Sequence, residues 1–132
     1  MKPAAFRTWR ESPRAEETRL EAGEISVQVV PKSQVLTVAV RGRTTVDTSP
    51  YLRSVLLGLL EQGAAPVVVI DASSLSYLDL SGIATFLEAL KTAHEHSVKL
   101  RLAGMNGQAR KLAEVAQLDT IYRAWGSEVE FL

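Results

Sequence analysis

The residue types closest to a reactive arrangement lie in Val67-Val68-Val69-Ile70-Asp71-Ala72-Ser73-Ser74-Leu75-Ser76-Tyr77-Leu78-Asp79-Leu80-Ser81-Gly82-Ile83-Ala84. Asp71 and Asp79 could act as paired carboxylates or hold a hard cation, but cation sites recruit more than two oxygen ligands. Ser81 stands where a helix is expected to open. Its hydroxyl suits a helix cap, while the free amides and dipole of such a helix start also suit a phosphate. As a cap Ser81 contributes about 1 kcal/mol; as a phosphorylation site it would carry about two negative charges. Serine is among the commonest caps, so the cap is the simpler reading.

Other chemistry finds less support. His94 and His96 are the only histidines, and at i and i+2 on a helix they point apart, so they do not converge on a metal. Gly104-Met105-Asn106-Gly107 lacks the lysine and hydroxyl of a phosphate loop and reads as a turn leading into a helix cap. There is no cysteine, which excludes a thiolate nucleophile, a thiolate metal site and a disulfide framework. A serine hydrolase would need a base and an oxyanion hole, and no partner for Ser81 is specified. The expectation is therefore a non-enzymatic chain with no catalytic residue, metal site or cofactor.

The elements that would position this stretch follow from periodicity. Ile25, Val27 and Val29 alternate with Ser26, Gln28 and Val30, and Val35 to Val40 resume after Pro31-Lys32-Ser33-Gln34, which predicts an antiparallel hairpin. Thr44 to Ser49 form a polar loop. Ser49-Pro50 reads as a cap and first helical residue, and Leu52, Val55, Leu56 and Leu59 recur at helical spacing to Gly63. Val67 to Ile70 are too continuously apolar for a strand with one wet face and suggest a central strand covered on both sides. The loop after it should lie at the carboxyl edge of the sheet, where sites in open α/β folds are built.

Beyond Ser81, Ile83, Phe86, Leu87, Leu90 and Ala93 form a second amphipathic helix. Val98 to Ala103 alternate as a strand, and a third helix carries Leu112, Ala113 and Ala116. Leu118 should anchor the segment after it, with Ile121 to Trp125 and Val129 to Leu132 packing as a short strand or edge segment. The whole is an α/β sandwich with a mixed four- to five-stranded sheet and three to four helices.

At 132 residues and 46% hydrophobic composition, the chain suits one ordinary domain. Fifteen Lys+Arg balance fifteen Asp+Glu, so no general attraction to nucleic acid or anionic lipid is expected. No signal-peptide core and no apolar run of membrane-spanning length occur, which leaves a cytoplasmic location as the default and no membrane insertion. Residues 1–23 are charge-rich and carry few apolar residues, so they are expected as an arm outside a domain spanning 24–132. A solvated leader is the simpler reading of that arm; a docking arm or homodimer strap anchored by Phe6 and Trp9 is the functional one.

The chain from about Glu24 to Trp125 resembles the STAS domain family, whose best-known members are bacterial anti-sigma factor antagonists. The stretch from Val67 to Ala84 is similar to the family's strand, Asp-x-Ser-x-x-x-x-x-Asp-Ser-Ser/Thr-Gly-Leu/Ile loop and helix. Gln108-Ala109-Arg110-Lys111-Leu112 and Leu118-Asp119-Thr120-Ile121-Tyr122 resemble its closing helix and ending. In such antagonists a kinase that is also the anti-sigma factor phosphorylates the residue after the loop aspartate, and the unphosphorylated form sequesters that kinase. Here that position is Leu80, which cannot accept phosphate, and Ser81 follows it. Many antagonists also carry Gly-x-Leu-Asp in the first loop, where this chain has Gly42-Arg43-Thr44-Thr45.

The resemblance implies a signalling module of the partner-switching type that binds a protein, an anti-sigma factor or kinase-like ATPase, without phosphorylation at the usual position. The expected surface comprises Thr44, Thr45, Asp47, Asp79, Leu80, Ser81, Gly82 and Ile83, with Ser81 a candidate phosphorylation site. Leu80 is there an apolar anchor or a core residue. The alternative is a cytosolic STAS subunit of an ABC lipid-transport or other membrane transport complex, bound to transporter subunits.

Overall fold

Alternation builds the first hairpin. In β2 (Ile25–Lys32), Ile25, Val27 and Val29 are buried while Ser26, Gln28 and Val30 are half-buried, and β3 (Val35–Thr44) buries Leu36, Val38 and Val40 in the same way. The two pair antiparallel from Ile25↔Gly42 to Lys32↔Val35, about a turn in which Ser33 is left-handed at φ 58°.

The computed structural model describes residues 18–22 and 24–131. Thr18–Ala22, expected within the arm, instead form β1, antiparallel to β2 from Thr18↔Val29 to Ala22↔Ile25. The physical reason is that an edge strand pairs through its backbone and tolerates charges such as Arg19 and Glu21, so its composition reads as arm. The expected anchors Phe6 and Trp9 lie outside the described residues.

From β3 onward helices alternate with strands: α1 (Ser49–Glu61), β4 (Val67–Leu78), α2 (Leu80–Glu95), β5 (Lys99–Met105), α3 (Gly107–Val115), α4 (Leu118–Ala124) and β6 (Glu128–Phe131). The described residues form a mixed sheet of six strands in the order β1-β2-β3-β4-β5-β6, one strand more than the four to five the sequence suggests, the addition being β1. The pairs β3–β4, β4–β5 and β5–β6 are parallel. Each new strand is laid on the same side of the last, so right-handed crossovers put all the intervening helices on one face.

Burial follows that topology. Val68, Ile70 and Ala72 of β4 join Leu100 and Leu102 of β5 in one core with Leu52 and Leu56 of α1, Phe86 and Leu90 of α2 and Tyr122 of α4. The intervening Val67, Val69 and Asp71 are only half-buried. The run of β-branched residues therefore does not mean helices on both faces; such residues also suit the pleated strand itself. Tyr122 closes the layer: its hydroxyl donates to the Phe86 carbonyl at 2.6 Å, and full burial pushes its ionisation upward.

Two other segments differ from the sequence reading. Ile121 to Ala124 are helical rather than extended, because Leu118 and Tyr122, four residues apart, both reach the core. The segment after Asp71 is not a loop but the second half of β4. It stays paired to β3 through register shifts between Ala39 and Arg41 and between Gly42 and Arg43. Those irregularities let Ala72, Leu75 and Leu78 all be buried at a spacing of three where a regular strand would alternate in twos.

Candidate functional site

At the carboxyl end of β3 and β4, two loops are joined by one carboxylate. Asp79 has extended backbone (φ −117°, ψ −172°) and caps α2. Its Oδ1 accepts from the amides of Ser81 at 2.9 Å and Gly82 at 3.2 Å and from the Ser81 hydroxyl. Its Oδ2 accepts from the Val46 amide of the β3–α1 loop at 3.2 Å, and the Asp79 amide donates to the Thr44 carbonyl at 3.2 Å. Burial on its own would raise the Asp79 carboxyl, but the Ser81 hydroxyl and the amides of Gly82, Ser81 and Val46 together hold it below the ordinary aspartate value.

The cap is thus Asp79 and not Ser81. Both residues are good cap formers, and only the extended backbone at 79 decides between them. Similarly, Thr48 and not Ser49 stands at the cap position of α1. Its hydroxyl donates to the Arg43 carbonyl at 2.7 Å and accepts from the Thr45 amide at 2.9 Å, folding residues 43–48 into a tight turn.

The packing beneath the loops fixes their height. Thr44 is fully buried, and a Cβ on Gly82 would lie 2.8 Å from its Cγ2 and 2.2 Å from Leu78 Cδ1. Glycine at 82 therefore lets the start of α2 sit directly on the ends of β3 and β4. From the other side, Gln108 of α3 grips the backbone of Leu78: its Oε1 accepts from the Leu78 amide at 2.9 Å and its Nε2 donates to the carbonyl at 2.7 Å. Sequence reading placed Gln108 only in the closing helix; its role depends on a contact thirty residues away in sequence.

The predicted surface residues separate into two groups. Thr44, Gly82 and Ile83 are buried, because they form the seam between α2 and the sheet, so they support the site from below. Thr45, Asp47, Asp79, Leu80 and Ser81 stay exposed or half-buried. Leu80 is 71% exposed, and Val46, absent from the expected set, is 69% exposed. Two bare aliphatic side chains thus stand on the two loops that Asp79 holds together. Val46 was legible only as one apolar residue in a polar loop.

The other candidates are dispersed. Asp71 accepts from the Ser73 amide at 3.0 Å and hydroxyl at 2.7 Å, a local turn-like arrangement, and shares no partner with Asp79. His94 packs edge-on against Trp125 with ring centroids 4.9 Å apart, while His96 Nδ1 is 3.0 Å from the Thr92 carbonyl. Ser81 bonds to a carboxylate instead of an imidazole, and Asp79 occupies the amides of Ser81 and Gly82 that an anion would need. Among the described residues no group of three metal-ligating side chains converges.

A mixed sheet with helices on one face and a stapled loop pair at its carboxyl edge defines a small α/β domain of a recognisable kind. The chain belongs to the STAS domain family: residues 27–123 match the family model described as "Mlab, STAS domain". It is 26% identical over 107 residues to an anti-sigma-B factor antagonist of Staphylococcus aureus, covering 80% of this chain and 98% of that one. Among solved structures it is similar to an anti-sigma factor antagonist from Mycobacterium paratuberculosis, with a TM-score of 0.67 and 21% identity over 77% of this chain and 86% of that one. It is also similar to the phosphorylated Bacillus cell fate determinant SpoIIAA, with a TM-score of 0.60 and 16% identity over 80% and 90% of the two chains. These structural likenesses establish the shared fold. Among the described residues no helix is long and apolar enough to cross a membrane.

Proposed function

We propose that this chain is a non-enzymatic STAS regulatory module that binds a protein partner through the loop pair at the carboxyl edge, in the manner of an anti-sigma factor antagonist. The observation that carries the reading is Leu80, 71% exposed beside Val46 at 69%. Exposed aliphatic side chains on a backbone fixed by Asp79 suit a preorganised contact, since little order is lost on binding. Thr45, Asp47, Asp79 and Ser81 then form the polar rim, and Thr44, Gly82 and Ile83 support it. Kinship with the staphylococcal antagonist favours a signalling partner such as an anti-sigma factor or kinase-like ATPase.

Phosphorylation is not part of this reading. Leu80 occupies the acceptor position, and a phosphate on Ser81 would lose the hydrogen bond to Asp79 and set a second anionic group against the same carboxylate.

Affinity purification of the tagged chain from its source cells, with Leu80→Asp in parallel, tests the proposal. Wild type should retain a partner that Leu80→Asp loses at least tenfold, with both proteins equally folded by circular dichroism. Recovery of a histidine-kinase-like ATPase supports the signalling form; recovery of transporter subunits instead would overturn it for the transport-complex alternative. Incubation of wild type and Ser81→Ala with a recovered kinase and ATP, followed by mass spectrometry, should find no phosphate on either. Phosphate on wild type alone would restore Ser81 as a switch.

A further inference from the structure

Beyond Asp71, β4 has a strand beside it on one flank only. Its pairing with β5 ends at Asp71↔Ala103, whereas its pairing with β3 continues to Thr44↔Leu78, so no described strand accompanies residues 72–78 on the β5 side. β5 leads instead past Ser73 into the start of α3; a Cβ on Gly104 would lie 2.9 Å from Ser73 Cβ, and glycine permits that approach. Two side-chain amides at the start of α3 take over from the missing strand. Asn106 Nδ2 donates to the Ser73 carbonyl at 3.1 Å and to the Gly104 carbonyl at 3.0 Å. Gln108 makes both bonds to the Leu78 backbone, accepting from its amide and donating to its carbonyl. In a sheet interior both bonds would come from a neighbouring strand.

These amides matter because α3 has little else to hold it. Asn106 stands at the cap position of α3 yet makes no cap bond with its side chain; its amide group serves β4 instead. The buried residues of α3 are Ala109 and Ala113, two small side chains that remove little apolar area from water. Leu78 in turn precedes Asp79, whose amide donates to the Thr44 carbonyl. The backbone entering the α2 cap is thus fixed from both flanks, by β3 on one and by Gln108 on the other.

We propose that Gln108 is a positioning residue for the loop pair: it stands in for the strand that β4 lacks and, through the backbone of Leu78, sets the place of Asp79 and hence of Leu80 and Val46. α3 is thereby coupled to the binding surface. The link to binding rests on the reading of that loop pair as the partner site; the positioning itself does not.

Glutamate at 108 separates positioning from general stability, because its hydrogen-bonding capacity changes with pH. Ionised, the carboxylate of Gln108→Glu still accepts from the Leu78 amide but sets its second oxygen against the Leu78 carbonyl; protonated, it donates again. Facing a carbonyl raises its proton affinity, so it regains a proton while Asp79, held below its ordinary 3.8, is still ionised. In native-state hydrogen exchange near neutrality, corrected for intrinsic rates, the amides of Val46, Ser81 and Gly82 should exchange several-fold faster in Gln108→Glu than in wild type, and those of Val68 to Ile70 should change less. Acidification to just above 3.8 should restore the wild-type ratio, and Gln108→Ala should show the same loss without restoration. Equal acceleration at all these amides would mean general destabilisation and overturn the proposal, as would loop amides unchanged in both variants or a loss in Gln108→Glu that acid does not reverse. In the affinity purification, Gln108→Glu should retain several-fold less partner than wild type near neutrality. Full retention by loosened loops would overturn the link to binding, whereas no partner on wild type would overturn the binding reading alone, and the exchange result still decides Gln108.

Discussion

At the scale of single residues, Asp79 is the point on which the site turns. It accepts from the Ser81 hydroxyl and from the amides of Ser81, Gly82 and Val46, so Asp79→Ala removes the α2 cap and the tie between the loops together. The expected cost is about 1–2 kcal/mol, read as a lower midpoint in urea denaturation. The pH dependence has a definite sign. The folded carboxyl titrates below its ordinary value of 3.8, so its stabilisation is fully present above that value and lost as pH falls through the lower folded value. The stability difference between wild type and Asp79→Asn should therefore be constant near neutrality and narrow on acidification below 3.8; a difference that widened there would refute the assignment. Sequence alone brought Asp79, Leu80 and Ser81 to one place, since the strand-to-helix transition was legible in the hydrophobic pattern. It did not tell which of two good cap formers would adopt extended backbone, or that Leu80 would point outward.

At the scale of elements, α2 is held by contact with strand ends as much as by its own apolar stripe. Gly82→Ala should be destabilising by about 1–3 kcal/mol, although alanine is the better helix former by about 1 kcal/mol. The added methyl would lie 2.2 Å from Leu78 Cδ1 and 2.8 Å from Thr44 Cγ2, and both neighbours are fully buried, so one of them must shift within a packed core. A urea midpoint below wild type checks this, whereas a rise would mean that the strand ends yield. Farther along, α2 is tied to α1 by the paired hydrogen bonds of Arg53 with Glu88, of which Nε to Oε1 measures 2.7 Å; being exposed, that tie is worth only about 0.2–1 kcal/mol. The long helices were legible because Leu52, Val55, Leu56 and Leu59, and Phe86, Leu90 and Ala93, repeat at helical spacing over about two turns within helices of 13 and 16 residues. The seven residues of α4 offer too few repeats, and the second half of β4 hides its strand character because its register shifts break the alternation.

At the scale of the whole molecule, the order of strands in space repeats their order in sequence, which puts β3 and β4 at the centre of the described sheet and β1 and β6 at its edges. The hairpin signal and the strand-helix alternation made the mixed sheet legible. Only the cover expected on both sides of Val67 to Ile70 is absent among the described residues, because valine runs suit a pleated interior strand whether or not both faces carry helices. β4 pairs on both sides, with β3 from Val35↔Val67 to Thr44↔Leu78 and with β5 from Val67↔Lys99 to Asp71↔Ala103. β6 is four residues long, pairs only with β5 among the described strands, and is reinforced by ion pairs of Arg101 with Glu128, at 2.7 Å, and Glu130. Such exposed pairs do little to prevent local opening. In native-state hydrogen exchange, the amides of Val68 to Ile70 should open only with global unfolding, and their protection should fall with added urea as steeply as global stability does. Amides of β6 should exchange by local fraying, faster and with little dependence on low urea. If β6 and β4 exchanged with the same free energy and the same urea dependence, the sheet would open as one unit, and the edge would be as firmly held as the centre.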